Sequence, residues 1–190
     1  MGSLTWLGRA DLATLVCPYC GRTADPNAET MLAAEQAWGF VGASLTLHGG
    51  RTAALLITPL PKTRTAMLNC LWVAPGHAGR GRGKRLIQAT AAGLLSSEVE
   101  AIVARGSRSR LDCTAPPADF LRAVGFTRVM DAHLLGHATD AEGARPERLW
   151  RLDLDATVTA PTGLRGLVAD WLRALRPIRP EPAGRVSRES

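Results

Sequence analysis

The amino-acid sequence predicts a mixed α/β sandwich built on one core domain. Two observations carry this reading. Segments of β-like pattern and segments of helical period are interleaved, but without the regular alternation of a doubly wound sheet. The chain has 190 residues, 46% of them apolar and 21% charged, which suits one ordinary globular domain and is short for two.

The elements follow in chain order. Ser3 to Trp6 is a candidate first strand, and Asp11 to Val16 a short helical turn that runs into Cys17-Pro18-Tyr19-Cys20-Gly21. Glu29 to Trp38 is rich in helix formers. From Val41 to His48 the pattern turns β-like, and His48-Gly49-Gly50-Arg51 predicts a hairpin turn into a strand over Thr52 to Thr58, ended by Pro59 and Pro61. Thr65 to Val73 is a strong strand, stopped by Ala74-Pro75-Gly76. Lys84 to Leu95 has helical period, with Leu86, Thr90 and Leu94 on one stripe and Ile87, Ala91 and Leu95 beside it. Ala101 to Ala104 suits a buried strand. Pro116 and Pro117 open a helix over Ala118 to Val124, capped by Gly125. Thr127 to Met130 and Leu149 to Asp155 predict two further strands around a polar loop from His137 to Arg148. An apolar stripe on Leu164, Leu167, Val168, Trp171, Leu172 and Leu175 predicts a helix over 159–176, and 177–190 is expected to be a disordered basic tail.

Composition narrows the function classes. No run approaches the roughly 20 apolar residues of a membrane span. The N-terminal segment has no continuous apolar core of a signal peptide, so a soluble cytoplasmic protein is expected. The formal charge is +6, yet Lys62 and Lys84 are the only lysines among the 23 basic residues. That bias matches a GC-rich coding sequence better than a selected nucleic-acid surface, and a nucleic-acid partner is not expected. A modest positive field also suits an anionic small molecule.

Chemistry concentrates in Leu71-Trp72-Val73-Ala74-Pro75-Gly76-His77-Ala78-Gly79-Arg80-Gly81-Arg82-Gly83-Lys84. A strand enters a glycine-rich turn that opens an amphipathic helix. Glycines let backbone N–H groups converge on an anion, and the helix adds its positive end. The Walker pattern fails, because Arg85 stands where a Ser or Thr is needed and Ala78 where a Gly is needed. The dinucleotide pattern fails on spacing, since Gly79, Gly81 and Gly83 are two apart.

The segment resembles the GNAT superfamily of acyl-CoA N-acyltransferases. Its signature is Arg/Gln-x-x-Gly-x-Gly/Ala after a strand ending in Val-x-Pro. Here stand Val73-Ala74-Pro75 and Ala78-Gly79-Arg80-Gly81-Arg82-Gly83, with Val124-Gly125-Phe126 downstream like that fold's late helix-then-Gly-Phe element. The resemblance is strongest over Met67 to Arg128, and by element order extends from Ser3 to Asp155. More loosely, the chain is similar to an actinobacterial subgroup with a cysteine-rich N-terminal turn and an extra C-terminal helix.

The resemblance implies a mixed, mostly antiparallel sheet flanked by helices over 1–158, with core motif 65–128 and the extra helix appended. It implies acetyl-CoA or another acyl-CoA as donor, and transfer to a small-molecule or protein amine by direct attack on the thioester. Backbone amides at Ala78, Gly79, Arg80, Gly81, Arg82, Gly83 and Lys84 would hold the pyrophosphate. The strand at Leu71 and Val73 would pair with the pantetheine arm. A homodimer is compatible with it. Gly81→Asp or Gly83→Glu would then abolish CoA binding in a folded protein.

Three positions depart from the family pattern. Ala78 replaces the usual Arg or Gln, Leu121 stands where many members carry the Tyr that protonates the thiolate, and Met67-Leu68-Asn69-Cys70 offers no carboxylate base. The catalytic residues therefore stay unassigned. The rival reading is a catalytically silent GNAT-fold module that binds acyl-CoA or a partner.

Cys17-Pro18-Tyr19-Cys20 matches both a dithiol redox motif and half of a zinc knuckle. Gly21 to Asn27 reads as a turn, not the long helix a redox dithiol opens. No second Cys-x-x-Cys completes four ligands; Cys70, Cys113, His48 and His77 would do so only through the tertiary fold. The sequence-level expectation is that Cys17, Tyr19 and Cys20 border the acceptor pocket and that no metal is bound. Zinc and redox roles stay open as alternatives. His77 is expected to be a solvated loop residue, and Cys113 a small buried residue near the thioester.

Overall fold

The computed structural model describes residues 2–107, 112–129 and 149–154. The chain divides into a compact unit over Met1–Thr157 and a second unit over Val158–Ser190. The expected helix over 159–176, the tail over 177–190 and the polar loop from His137 to Arg148 lie outside the described residues.

Among the described residues, seven strands form one sheet in the order β1-β2-β3-β4-β5-β7-β6. They are β1 (Ser3–Leu7), β2 (Gly42–Leu47), β3 (Gly50–Pro59), β4 (Thr65–Val73), β5 (Ala101–Arg105), β6 (Thr127–Arg128) and β7 (Leu149–Asp153). Every neighbour pair is antiparallel except β4 and β5. β7 inserts between β5 and β6, so the two late strands are not simple sequence neighbours of β5. The helices are α1 (Arg9–Leu12), α2 (Glu29–Trp38), α3 (Arg82–Leu94) and α4 (Ala118–Ala123). Among the described residues no helix is long and apolar enough to cross a membrane.

Local sequence explains the turns. β2 and β3 are joined through His48 and Gly49 at φ 49° and 77°, the doubly left-handed turn that matches strand twist. α2 stops at Gly39, whose φ of 79° lets its N–H reach the Glu35 carbonyl.

Alternation along the strands builds a core on each face. Ala53, Leu55 and Ile57 of β3 pack with Leu86, Ile87 and Leu94 of α3. Ala54 and Leu56, with Trp72 of β4, pack on the other face with Leu12 and Met31 of α1 and α2. The predicted α3 stripe is buried at Leu86, Ile87, Thr90, Ala91 and Leu94, while Leu95 falls beyond the helix and is exposed. Arg9 ties α1 to α2: its backbone N–H and its Nε donate to the Glu35 carboxylate at 3.0 and 2.6 Å.

Two departures from regular pairing shape the site. Leu56 pairs with Cys70 but Ile57 pairs with Leu68, so Asn69 is an extra residue that bulges β4. Its amide donates to Thr58 Oγ1 at 2.7 Å. The parallel ladder between β4 and β5 covers only Thr65–Leu68 against Ala101–Ala104. From the bulge onward β4 has lost β5 as a partner, and the sheet opens there.

Candidate functional site

The opening leads into a cleft of about 770 Å³, within the ~300–1,000 Å³ usual for small-molecule sites. Its walls are the end of β4 (Leu71, Trp72, Val73), the glycine loop and first turn of α3, the segment around Cys113, and Phe120, Ala123 and Val124 of α4.

The loop is shaped by its glycines. Pro75–His77 make one 3-10 turn, and Gly79 and Gly81 then each adopt φ 71°, which a side chain resists. Gly81 is the N-cap of α3, and the Arg85 N–H donates to the Gly81 carbonyl at 3.0 Å. The cap has no side-chain hydrogen bond and the first turn has no acidic residue. Arg82, Lys84 and Arg85 occupy it instead. Cations beside the positive end of a helix are unfavourable for the helix alone. They are well suited to a polyanion. Arg80, Arg82 and Arg85 also line a smaller depression of about 200 Å³, which shares Gly81 and Arg82 with the cleft.

Of the expected loop residues, Ala78, Gly79, Gly81, Arg82, Gly83 and Lys84 line the cleft, and Arg80 faces the smaller depression. His77 is not a solvated loop residue. It is half-buried on the cleft wall, and its buried Nδ1 has no hydrogen-bond partner among the described residues.

Leu71 and Val73 also line the cleft, but their polar edge is already engaged. The Leu71 N–H donates to the Cys113 carbonyl at 2.8 Å. Tyr19 Oη donates to the Val73 carbonyl at 2.6 Å. Both partners come from outside the sheet, and neither is visible as a local pattern.

Leu121 is fully buried in the core rather than on the cleft wall; α4 presents Phe120 there. Among the described residues, two carboxylates line the cleft. Asp112 accepts from the Thr114 N–H and hydroxyl and from the Ala115 N–H, and Asp119 is paired with Arg122 at 3.0 Å.

The expected acceptor-side residues divide. Tyr19 lines the cleft. Cys17 lies 4% exposed in the core beneath α1 and α2, and Cys20 is exposed. Their thiols meet that of Cys113: the three sulfurs all lie within 4.8 Å of one another.

No protein-family profile matches this chain, and no curated protein does. Solved structures do match its fold. An N-acetylglutamate synthase from Neisseria gonorrhoeae, complexed with coenzyme A and N-acetyl-glutamate, aligns with TM-score 0.60 at 14% identity over 81% of this chain. The chain spans only 35% of that protein. A GNAT family N-acetyltransferase (YhbS) from Escherichia coli in complex with CoA aligns with TM-score 0.54 at 13% identity, covering 85% of this chain and 87% of that one. Ard1 from Thermoplasma volcanium gives TM-score 0.52 at 10% identity over 80% and 97% of the two chains. The opened, mostly antiparallel sheet is therefore a GNAT fold, as the loop and the Gly-Phe element imply.

Proposed function

We propose that the protein is an acyl-CoA-dependent N-acyltransferase, acting in the first instance with acetyl-CoA on an amine. The observation that carries this reading is the uncapped, cation-bearing N-terminus of α3 opening onto the cleft of a GNAT fold.

The residues present fit the cofactor. Gly79 and Gly81 hold conformations that keep the loop free of side chains, and the amides of the first turn of α3 have no side-chain cap to compete with a phosphate. Lys84 adds a cation at the cleft wall. Phe120, Ala123 and Val124 offer an apolar wall for a thin chain. Acyl-CoA would supply the activated thioester carbonyl. The loop would anchor the diphosphate, and β4 would orient the arm so that an amine entering from the opposite side meets the carbonyl.

Acetyl-CoA or CoA at about 100 times its Kd is expected to stabilise the fold by about 2.7 kcal/mol. For a chain of this size that is a rise in Tm of roughly 5–10 °C. ATP and NAD should give much less. A flat thermal shift at saturating acetyl-CoA would remove the proposal.

Engagement of the β4 edge makes a second prediction. Tyr19→Phe leaves the Val73 carbonyl without its partner, so the free protein should lose roughly 1 kcal/mol of stability. A pantetheine amide that pairs with this carbonyl no longer has to displace the phenol. CoA affinity should therefore rise several-fold, up to about tenfold. Calorimetric titration of the variant checks this; equal or weaker affinity would mean the arm does not pair at Val73.

The lack of an evident base and acid favours a second reading, a GNAT-fold module that binds acyl-CoA without turnover. No carboxylate projects from the bulge, where Asn69 binds Thr58, and Leu121 is buried away from the cleft. Release of free CoA in the presence of an amine library separates an enzyme from such a module.

A further inference from the structure

The Cys17–Cys20 turn has the shape of a metal-binding knuckle. The Cys17 N–H donates to the Arg22 carbonyl and the Gly21 N–H to the Cys17 carbonyl, each at 2.9 Å, and Gly21 turns the chain with φ 68°. Both sulfurs of the turn meet that of Cys113, 93 residues along the chain from Cys20, and Cys20 Sγ lies 3.7 Å from Cys113 Sγ. A tetrahedral thiolate site with metal–sulfur bonds of about 2.3 Å sets its sulfurs about 3.8 Å apart. A disulfide would need about 2.05 Å, and all four cysteines are free thiols.

We propose that Cys17, Cys20 and Cys113, with Cys70 as fourth ligand, form a structural site for a zinc-type divalent cation. The expectation of no metal rested on the lack of further ligands in sequence. The fold supplies Cys113 from the loop before α4 and Cys70 from the bulge of β4. Cys70 lies on the same sheet face as Trp72 and packs against the cluster that holds Cys17 and Cys113; its sulfur is not among the three that lie within 4.8 Å of one another and would have to turn toward them to complete the set.

Cys17 and Cys113 are buried and Cys20 is exposed, so Cys20 offers the entry path for a cation. On binding, four thiols release four protons to solvent, and the four-thiolate complex carries a net charge of −2 beside Arg22.

Such a site would fasten three separate segments: the knuckle, the bulge of β4 and the loop before α4. It would thereby fix the Cys113 carbonyl on Leu71 and Tyr19 on Val73. The site stands apart from acyl transfer, and its test needs no acyl-CoA.

Full-length protein, purified under reducing conditions from zinc-supplemented cells, should contain about one zinc per chain by elemental analysis. Cobalt(II) added to metal-free protein should give the thiolate charge-transfer and visible bands of a tetrahedral all-sulfur site. Cys17→Ser with Cys20→Ser, and Cys113→Ser, should abolish binding. Cys70→Ser should weaken it at least tenfold and change the cobalt spectrum. Should a variant not fold, alkylation of the wild-type protein still decides the matter: bound zinc should protect all four cysteines, and stripping it should expose them and lower Tm. Metal content below about a tenth per chain after zinc reconstitution, with four free thiols and no cobalt bands, would overturn the site. So would a stable Cys17–Cys20 disulfide in the protein as isolated.

Discussion

Arg80→Glu combined with Lys84→Glu is expected to weaken CoA binding by about 100-fold while leaving the protein folded. Arg80 and Lys84 are exposed on the loop and on the first turn of α3. Neither makes an ion pair or hydrogen bond described among the residues of the loop. Glutamate at Lys84 would place an acid in the first turn of the helix, where its end dipole welcomes one. The fold should tolerate the change, or gain by a few tenths of a kcal/mol. A diphosphate experiences the opposite: two attractions become two repulsions at the mouth of the cradle. Unit charges 4 Å apart interact by about 4 kcal/mol near a protein surface, and exposure to solvent reduces that considerably. About 2.7 kcal/mol in total corresponds to the 100-fold loss. The difference between variant and wild type should shrink as salt is raised. Calorimetric titration at two ionic strengths measures both. An unchanged Kd in a folded double variant would show that the loop is only a turn.

Much of the fold was legible because it rests on short-range pattern. The helix over Glu29–Trp38 and the strand over Thr65–Val73 appear with the predicted bounds, since helix formers and a continuous apolar run bounded by Pro and Gly are local signals. The glycine loop was legible for the same reason. What could not be read depends on contacts between distant segments. Nothing in the irregular stretch before Pro116 announces that Cys113 returns to β4, where its carbonyl meets Leu71 and its sulfur meets Cys20. Cysteine count alone was the available signal: four thiols in 190 residues, two of them in a knuckle. Leu121 was singled out by its place in the family pattern, yet on so short a helix the packing decides which residue faces the cleft. Phe120 takes that place and Leu121 fills the core. His77 reads as solvated because it stands among Pro, Gly and Ala, but the 3-10 turn folds its ring against the cleft wall.

Packing also changes how glycine substitutions in the loop must be interpreted. A side chain at Gly81 would have to adopt φ 71°, at a cost of order 1–2 kcal/mol, so Gly81→Asp perturbs the turn as well as the site. At Gly83 the obstacle is steric. A Cβ there would stand 3.1 Å from Cε2 and Cζ of Phe120 and 3.7 Å from Val73 Cγ2. Gly83 thus lies where α3, α4 and the end of β4 meet, and the Phe120 ring is part of the cleft wall. Gly83→Glu is expected to push that ring toward the cleft. Overpacking of this kind typically costs 1–3 kcal/mol. CoA binding should fall along with stability, so loss of binding in this variant alone does not isolate the phosphate cradle. A double-mutant cycle does separate the two effects. Phe120→Ala removes the obstacle, and the destabilisation from Gly83→Ala should then largely disappear. The helix preference of alanine over glycine, of order 0.5–1 kcal/mol, should become visible in its place. The coupling between the two positions should be about 1 kcal/mol or more by denaturant unfolding, as for residues in direct contact. Strict additivity within ~0.3 kcal/mol would show that Phe120 does not press on Gly83, and that α4 stands further from the loop than the 3.1 Å approach requires.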